Sequence, residues 1–98
     1  MDRLPLDPDE LESLCREHHI VRLSLFGSTL RGTDRPDSDV DLLVEFEQGK
    51  APGLIGLAGI EEELGTLVGR KVDLRTAQDL SPHFRNEVVR EARVQFAA

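Results

Sequence analysis

The 98 residues carry nineteen acidic and twelve basic side chains, a formal charge of −7. A chain that wraps a polyanion needs a cationic surface, so direct nucleic-acid binding and a template-bound polymerase fragment are not expected. With 39% apolar and 32% charged residues, four Phe, and neither Trp nor Tyr, one folded domain over residues 1–98 with an aliphatic core is expected.

The opening MDRLPLDPDELESL has no apolar signal core. Asp7-Pro8-Asp9-Glu10 predicts a helix start. Asp7 accepts from the free first-turn N–H groups, Pro8 suits the first helical position, Glu10 is placed to complete a capping box, and Leu6 is placed to pack on Leu11. Leu11, Leu14 and Cys15 recur at helical spacing and carry this helix to about His18. Cys15 is the only cysteine, which rules out an internal disulfide and fits a reducing cytoplasm.

Residues 21–26 alternate, with Val21, Leu23 and Leu25 against Arg22, Ser24 and Phe26, and predict a strand that Gly27-Ser28 ends. A helical turn over residues 28–31 stops at Gly32 and leads into a loop over 33–38 that contains Pro36. Residues 39–46 alternate again, Val40, Leu42, Val44 and Phe46 on one face, Asp39, Asp41, Leu43 and Glu45 on the other. Pro52 opens a helix that runs to about Val68, with Gly69 as its stop. Gly53, Gly56 and Gly59, three apart, read as close packing of that helix on a sheet; a partner-contact face is the alternative. The apolar stretch over residues 51–60 is too short to span a bilayer.

Val72-Asp73-Leu74 is a short strand, and Thr76 and Asp79 resemble the cap of one helical turn. Ser81-Pro82 begins a last helix with Phe84, Val88, Ala92 and Phe96 on its inner face. This order predicts an α/β fold: a small mixed sheet of three strands, or slightly more, flanked by helices.

Asp39 and Asp41, two apart on a strand, point to one side about 6.6 Å apart. Such a pair of like charges is kept more readily where cations fill the gap, and carboxylate oxygens suit Mg²⁺ shared with phosphates. With nine Asp in the chain, about 0.8 Asp-x-Asp pairs arise by chance, so the pair alone means nothing. Its position means more. Gly27-Ser28 follows an apolar strand and precedes the pair by ten residues, Thr29 to Ser38. A Gly-Ser turn exposes backbone N–H groups and a hydroxyl to a phosphate. An antiparallel return puts the turn and the carboxylates at one end of the sheet. A parallel crossover to the third strand brings Asp73 beside them.

Leu25-Phe26-Gly27-Ser28, Arg31-Gly32, Ser38-Asp39-Val40-Asp41-Leu42-Leu43-Val44 and Val72-Asp73-Leu74 together resemble a minimal nucleotidyltransferase of the DNA polymerase β superfamily, over nearly the whole chain. The resemblance implies a polymerase β-type nucleotidyltransferase fold. It implies catalytic and metal-binding roles for Asp39, Asp41 and Asp73 with two Mg²⁺ ions, and ATP held by Gly27 and Ser28. Arg31 matches the family's Arg-Gly pair and either touches phosphate or braces the loop. Chains of this kind are commonly antitoxins paired with a HEPN-type ribonuclease toxin, which implies AMP transfer to a Tyr hydroxyl of that toxin. The rival expectation is a non-catalytic subunit that neutralises a partner by covering it. Homo- or hetero-oligomers are compatible with either.

Other motifs point elsewhere. No Walker lysine, dinucleotide fingerprint or zinc-spaced Cys pair occurs. His18-His19 reads as a helix end, His83 as an exposed first-turn residue, Glu61-Glu62-Glu63 as a solvated helix face, and Arg85, Arg90 and Arg93 as surface residues.

Overall fold

The computed structural model describes residues 1–33, 35 and 37–98. In chain order it contains α1 (Pro8–Glu17), β1 (Ile20–Leu25), α2 (Gly27–Arg31), β2 (Val40–Phe46), α3 (Leu54–Val68), β3 (Val72–Arg75), a 3₁₀ turn (Ala77–Asp79), α4 (Arg85–Glu91) and β4 (Arg93–Ala97). Of the loop expected over residues 33–38, Asp34 and Pro36 lie outside the described residues.

The four strands form one sheet in the order β3-β2-β1-β4. β1 pairs antiparallel with β2, its neighbour in the chain, and with β4, at the far end of the chain. The pairing that α3 bridges, β2 with β3, is parallel, as a helical crossover requires. Alternation puts Leu23, Leu25, Val40, Leu42, Val44, Val72 and Leu74 on one face. They are buried there in a single core with Leu11, Leu14 and Cys15 of α1 and Ile60, Leu64 and Val68 of α3. Asp41, Leu43 and Glu45 of β2 and Asp73 of β3 fall on the opposite, open face.

Local signals explain most of the boundaries. The Asp7 carboxylate accepts the Asp9 N–H at 2.9 Å and caps α1. Gly69 ends α3 in the left-handed conformation. Thr76 and Asp79 form a reciprocal capping box around the 3₁₀ turn. His18 caps the end of α1 and also meets the Glu63 carboxylate at 2.8 Å, so the pair ties α1 to α3.

Five expectations need correction. The chain after Ala92 is a strand and not more helix. α4 closes at Glu91, and β4 adds a fourth strand beside β1. The pairs Leu23↔Phe96 and Ser24↔Val94 skip Gln95, so Val94 shares the open face while Phe96 packs against the core. Gln95 instead accepts the Leu4 N–H at 2.8 Å and donates to the Asp2 carbonyl at 3.0 Å. Phe84, expected inside, is exposed.

The glycine spacing of α3 does not mark close packing on the sheet. Leu54 and Ile55 are 87% and 91% exposed, and a methyl at Gly53 or Gly59 would meet nothing. Glu61 is no solvated residue; its carboxylate accepts the Leu74 N–H of β3 at 2.7 Å and satisfies an edge-strand donor. Arg85 is half-buried, and its guanidinium donates to the carbonyls of Ala77 at 2.8 Å and Leu80 at 3.1 Å, closing the 3₁₀ turn.

Burial pushes the Cys15 thiol from its ordinary 9.0 up to about 12. The folded chain therefore keeps a proton that the unfolded chain loses. This contribution to stability is complete below pH 9 and is lost as pH rises towards about 12. At pH 8 the folded chain should leave a thiol-reactive dye unconsumed, and unfolding in denaturant should release one reactive thiol. Dye consumption by the folded chain at the rate of free cysteine would contradict this burial.

Candidate active site

β1 ends at Leu25, and the Phe26 N–H donates to the Asp41 carbonyl at 3.2 Å, carrying the sheet one residue further. The chain then turns sharply at Gly27, with φ of +69°. A methyl group built on Gly27 would lie 2.5 Å from Asp41 Oδ2. Only a bare Cα permits both this φ and the approach of the carboxylate. Ser28 follows at the start of α2, and Gly32 closes that helix in the left-handed conformation.

The carboxylates reach the same end from two strands. Asp41 and Asp73 are direct partners in the parallel β2–β3 register. Asp39 precedes β2, where the Val40 N–H donates to the Lys71 carbonyl at 2.8 Å and pins this segment to the start of β3. The structure thus brings Gly27, Ser28, Asp39, Asp41 and Asp73 together. Arg31 is exposed at the end of α2; Thr33 and Arg70 brace the following loop, through the Thr33 N–H on the Ser28 carbonyl at 3.1 Å and the Arg70 contacts below.

Basic side chains face two of the carboxylates. Arg75 Nε lies 3.2 Å from Asp73 Oδ2, and Lys71 Nζ 4.0 Å from Asp39 Oδ2. Among the described residues no three His, Cys, Asp or Glu side chains close into one cluster tight enough for a metal ion. The donor set is nonetheless made only of hard carboxylate oxygens, on one face and at one end of the sheet, which is the chemistry Mg²⁺ prefers. Two of these carboxylates face Lys71 and Arg75 rather than one another.

Two residues that the sequence reading passed over hold this end together. Thr29, fully buried, donates through Oγ1 to the Asp39 carbonyl at 3.3 Å and accepts the Asp41 N–H at 3.2 Å. One hydroxyl thereby joins α2 to the backbone on both sides of Val40. Arg70, just after the Gly69 cap, donates through Nη2 to the carbonyls of Ser38 at 2.7 Å and Arg35 at 2.9 Å, next to Asp39. The only sequence signal for Thr29 was a β-branched polar residue in a very short helix. Arg70 had none, because its partners are backbone atoms more than thirty residues away.

Thr29→Val keeps the shape but strands a half-buried N–H and a half-buried carbonyl beside a buried side chain. It should cost about 2 kcal/mol, a Tm loss of roughly 10 °C, whereas Thr29→Ser should stay within a few degrees of wild type. Equal melting of the Val variant and wild type would show that the hydroxyl does not tie these segments.

A glycine-serine turn at a strand end, set against carboxylates on two adjacent strands of a small mixed sheet, defines the nucleotidyl-transfer class of folds. The chain belongs to the nucleotidyltransferase domain family, whose model matches residues 9–94. A Thermococcus cleftensis protein named protein adenylyltransferase MntA is 35% identical over 91 residues, covering 85% of this chain and 90% of that protein. A solved structure provisionally described as a minimal nucleotidyltransferase is 42% identical, with a TM-score of 0.70 over 87% of this chain and 85% of its own. A complex of a tri-AMPylated Shewanella oneidensis HEPN toxin with its MNT antitoxin matches with a TM-score of 0.64 over 93% of this chain and 70% of its own. At 19% identity that likeness concerns the fold alone. Among the described residues no helix is long and apolar enough to cross a membrane.

Proposed function

We propose that the chain transfers AMP from ATP to a hydroxyl on a protein partner, a HEPN-type toxin, and acts as its antitoxin. The observation that carries this reading is the approach of the Asp41 carboxylate to the bare Cα of Gly27, with Asp73 in register beside it. The family, the name of the Thermococcus relative and the AMPylated toxin in the Shewanella complex support it.

Asp39, Asp41 and Asp73 would hold Mg²⁺, which when bound neutralises charge on the α-phosphate and on the departing pyrophosphate. The Gly27–Ser28 backbone and the Ser28 hydroxyl would bind the triphosphate. The acceptor oxygen attacks the α-phosphorus, and the bond from that phosphorus to the bridging oxygen of the β-phosphate breaks. Pyrophosphate leaves, and Asp73 would take the hydroxyl proton. Positioning and charge neutralisation supply most of the rate.

The rival reading is a subunit that works by covering its partner. One observation favours it: Lys71 and Arg75 already face two of the three carboxylates. Incubating the chain with its co-purified partner, ATP and Mg²⁺, then weighing the partner intact, separates the two. A mass gain of one or more AMP units supports transfer. No gain, together with stoichiometric inhibition by Asp41→Asn, supports covering. Within the transferase reading, Ser28→Ala should weaken ATP binding roughly five- to tenfold, the net scale of one hydrogen bond. Unchanged affinity in calorimetry would remove Ser28 from the phosphate site.

A further inference from the structure

The chain between β3 and β4 crosses the open face of the sheet, and a groove of about 640 Å³ lies between them. Ser24, Leu43 and Val94, side by side in the β-register, form its floor. Ala77 of the 3₁₀ turn and Val89 of α4 are on its wall. Val89 and Val94 are 45% and 50% exposed, so two branched apolar side chains of the same groove are left half open.

Resting on the transferase reading above, we infer that this groove seats the acceptor polypeptide, a basic segment whose hydroxyl-bearing residue is flanked by apolar side chains. The first argument is direction. Along β2, Asp41 lies between the Gly27–Ser28 turn at one end and the groove, which begins at Leu43, at the other. With the leaving pyrophosphate at Gly27–Ser28, in-line displacement requires the acceptor oxygen to come from the opposite side of the phosphorus. That is the groove side.

The second argument is size and lining. From Leu43 to Glu47 the groove follows the chain for about 13 Å at ~3.3 Å per residue, and it continues to Gly49 and Ala51. This length suits three or four residues of extended polypeptide and exceeds a nucleoside. The floor is mainly aliphatic, which matches apolar side chains on either side of a reacting residue.

The third argument is charge. Glu45 and Glu47 stand on the rim, with Arg22 3.8 Å from Glu45. In a chain of net charge −7, this rim steers a basic segment and repels an acidic one.

The test is nuclear magnetic resonance on the full chain with defined probes: the peptide Lys-Leu-Tyr-Leu-Lys, its counterpart Glu-Leu-Tyr-Leu-Glu, and ATP with Mg²⁺. The basic peptide should shift the methyl signals of Leu43, Val89 and Val94, and the acidic peptide should not. ATP with Mg²⁺ should shift the Gly27 and Ser28 amides and leave the Val89 and Val94 methyls in place. Val89→Asp and Val94→Asp, at half-exposed positions that tolerate charge, should weaken the basic peptide at least tenfold without changing ATP affinity. The inference is overturned if the basic peptide moves Leu54 and Ile55 instead, if it moves nothing, or if ATP moves the groove methyls as strongly as the Gly27 and Ser28 amides. Gly27 and Ser28 amides that ignore ATP overturn the transferase reading itself, a result distinct from a groove that ignores the peptide.

Discussion

Asp41→Asn should lower AMP transfer by at least ~10²–10³-fold, the scale of losing one preorganised charged group at a transition state, while the chain stays folded. Asp41 occupies the most constrained position of the three carboxylates. Its backbone N–H is held by Thr29 at 3.2 Å, its carbonyl by Phe26 at 3.2 Å, and its Cα stands opposite that of Asp73. These are backbone contacts, which an asparagine at the same position also makes. Loss of one charge also weakens repulsion from Asp39 and Asp73. The melting temperature without Mg²⁺ should therefore stay within a few degrees of wild type, and the Tm rise on adding ATP and Mg²⁺ should shrink. A variant that transfers AMP at the wild-type rate would remove Asp41 from the chemistry. Asp73→Asn should lose rate more than ATP affinity, because its expected task is at the acceptor oxygen.

The parts legible in the sequence were those written in local periodicity. Alternation over residues 39–46 placed Asp39 and Asp41 on one side of a strand, and the α3 crossover implied the parallel pairing that sets Asp41 opposite Asp73. Gly27-Ser28 ended β1 as its composition required. β4 was not legible, because Val94 and Phe96, two apart, belong to opposite faces once the register skips Gln95. A strand whose pattern breaks in the middle looks like the end of a helix. Val21, expected inside, is likewise half-exposed while Ile20 is buried, because the register shifts between Ile20 and Arg22.

The supporting contacts of the site were illegible for a different reason. Thr29, Arg70 and Glu61 all act on backbone groups of distant segments. Backbone partners leave no trace in the identity of the residues they belong to. The glycine at position 27 was legible as a turn former, but its second task emerged only when β2 was folded against it.

That second task makes Gly27→Ala the other change of large expected effect. Two costs act at once. Alanine at φ of +69° is strained whatever its surroundings, at about 1–2 kcal/mol. Its methyl would also lie 2.5 Å from Asp41 Oδ2 and 3.2 Å from the carboxyl carbon, so the carboxylate must move. A combined cost of about 2–3 kcal/mol corresponds to a Tm loss of roughly 10–20 °C for a chain of this size. AMP transfer should fall about as far as in Asp41→Asn, since the displaced carboxylate no longer faces the turn. A double-mutant cycle separates the two costs. Asp41→Ala removes the carboxyl atoms nearest the new methyl and leaves only the residue's own Cβ, 3.4 Å away. Gly27→Ala should therefore cost less in the Asp41→Ala background, by about 1 kcal/mol of coupling, with the strain of the positive φ remaining. The cycle is read from urea midpoints of the four proteins. Additive costs would mean that the methyl and the carboxylate never meet, and that Gly27 is required only for its backbone conformation.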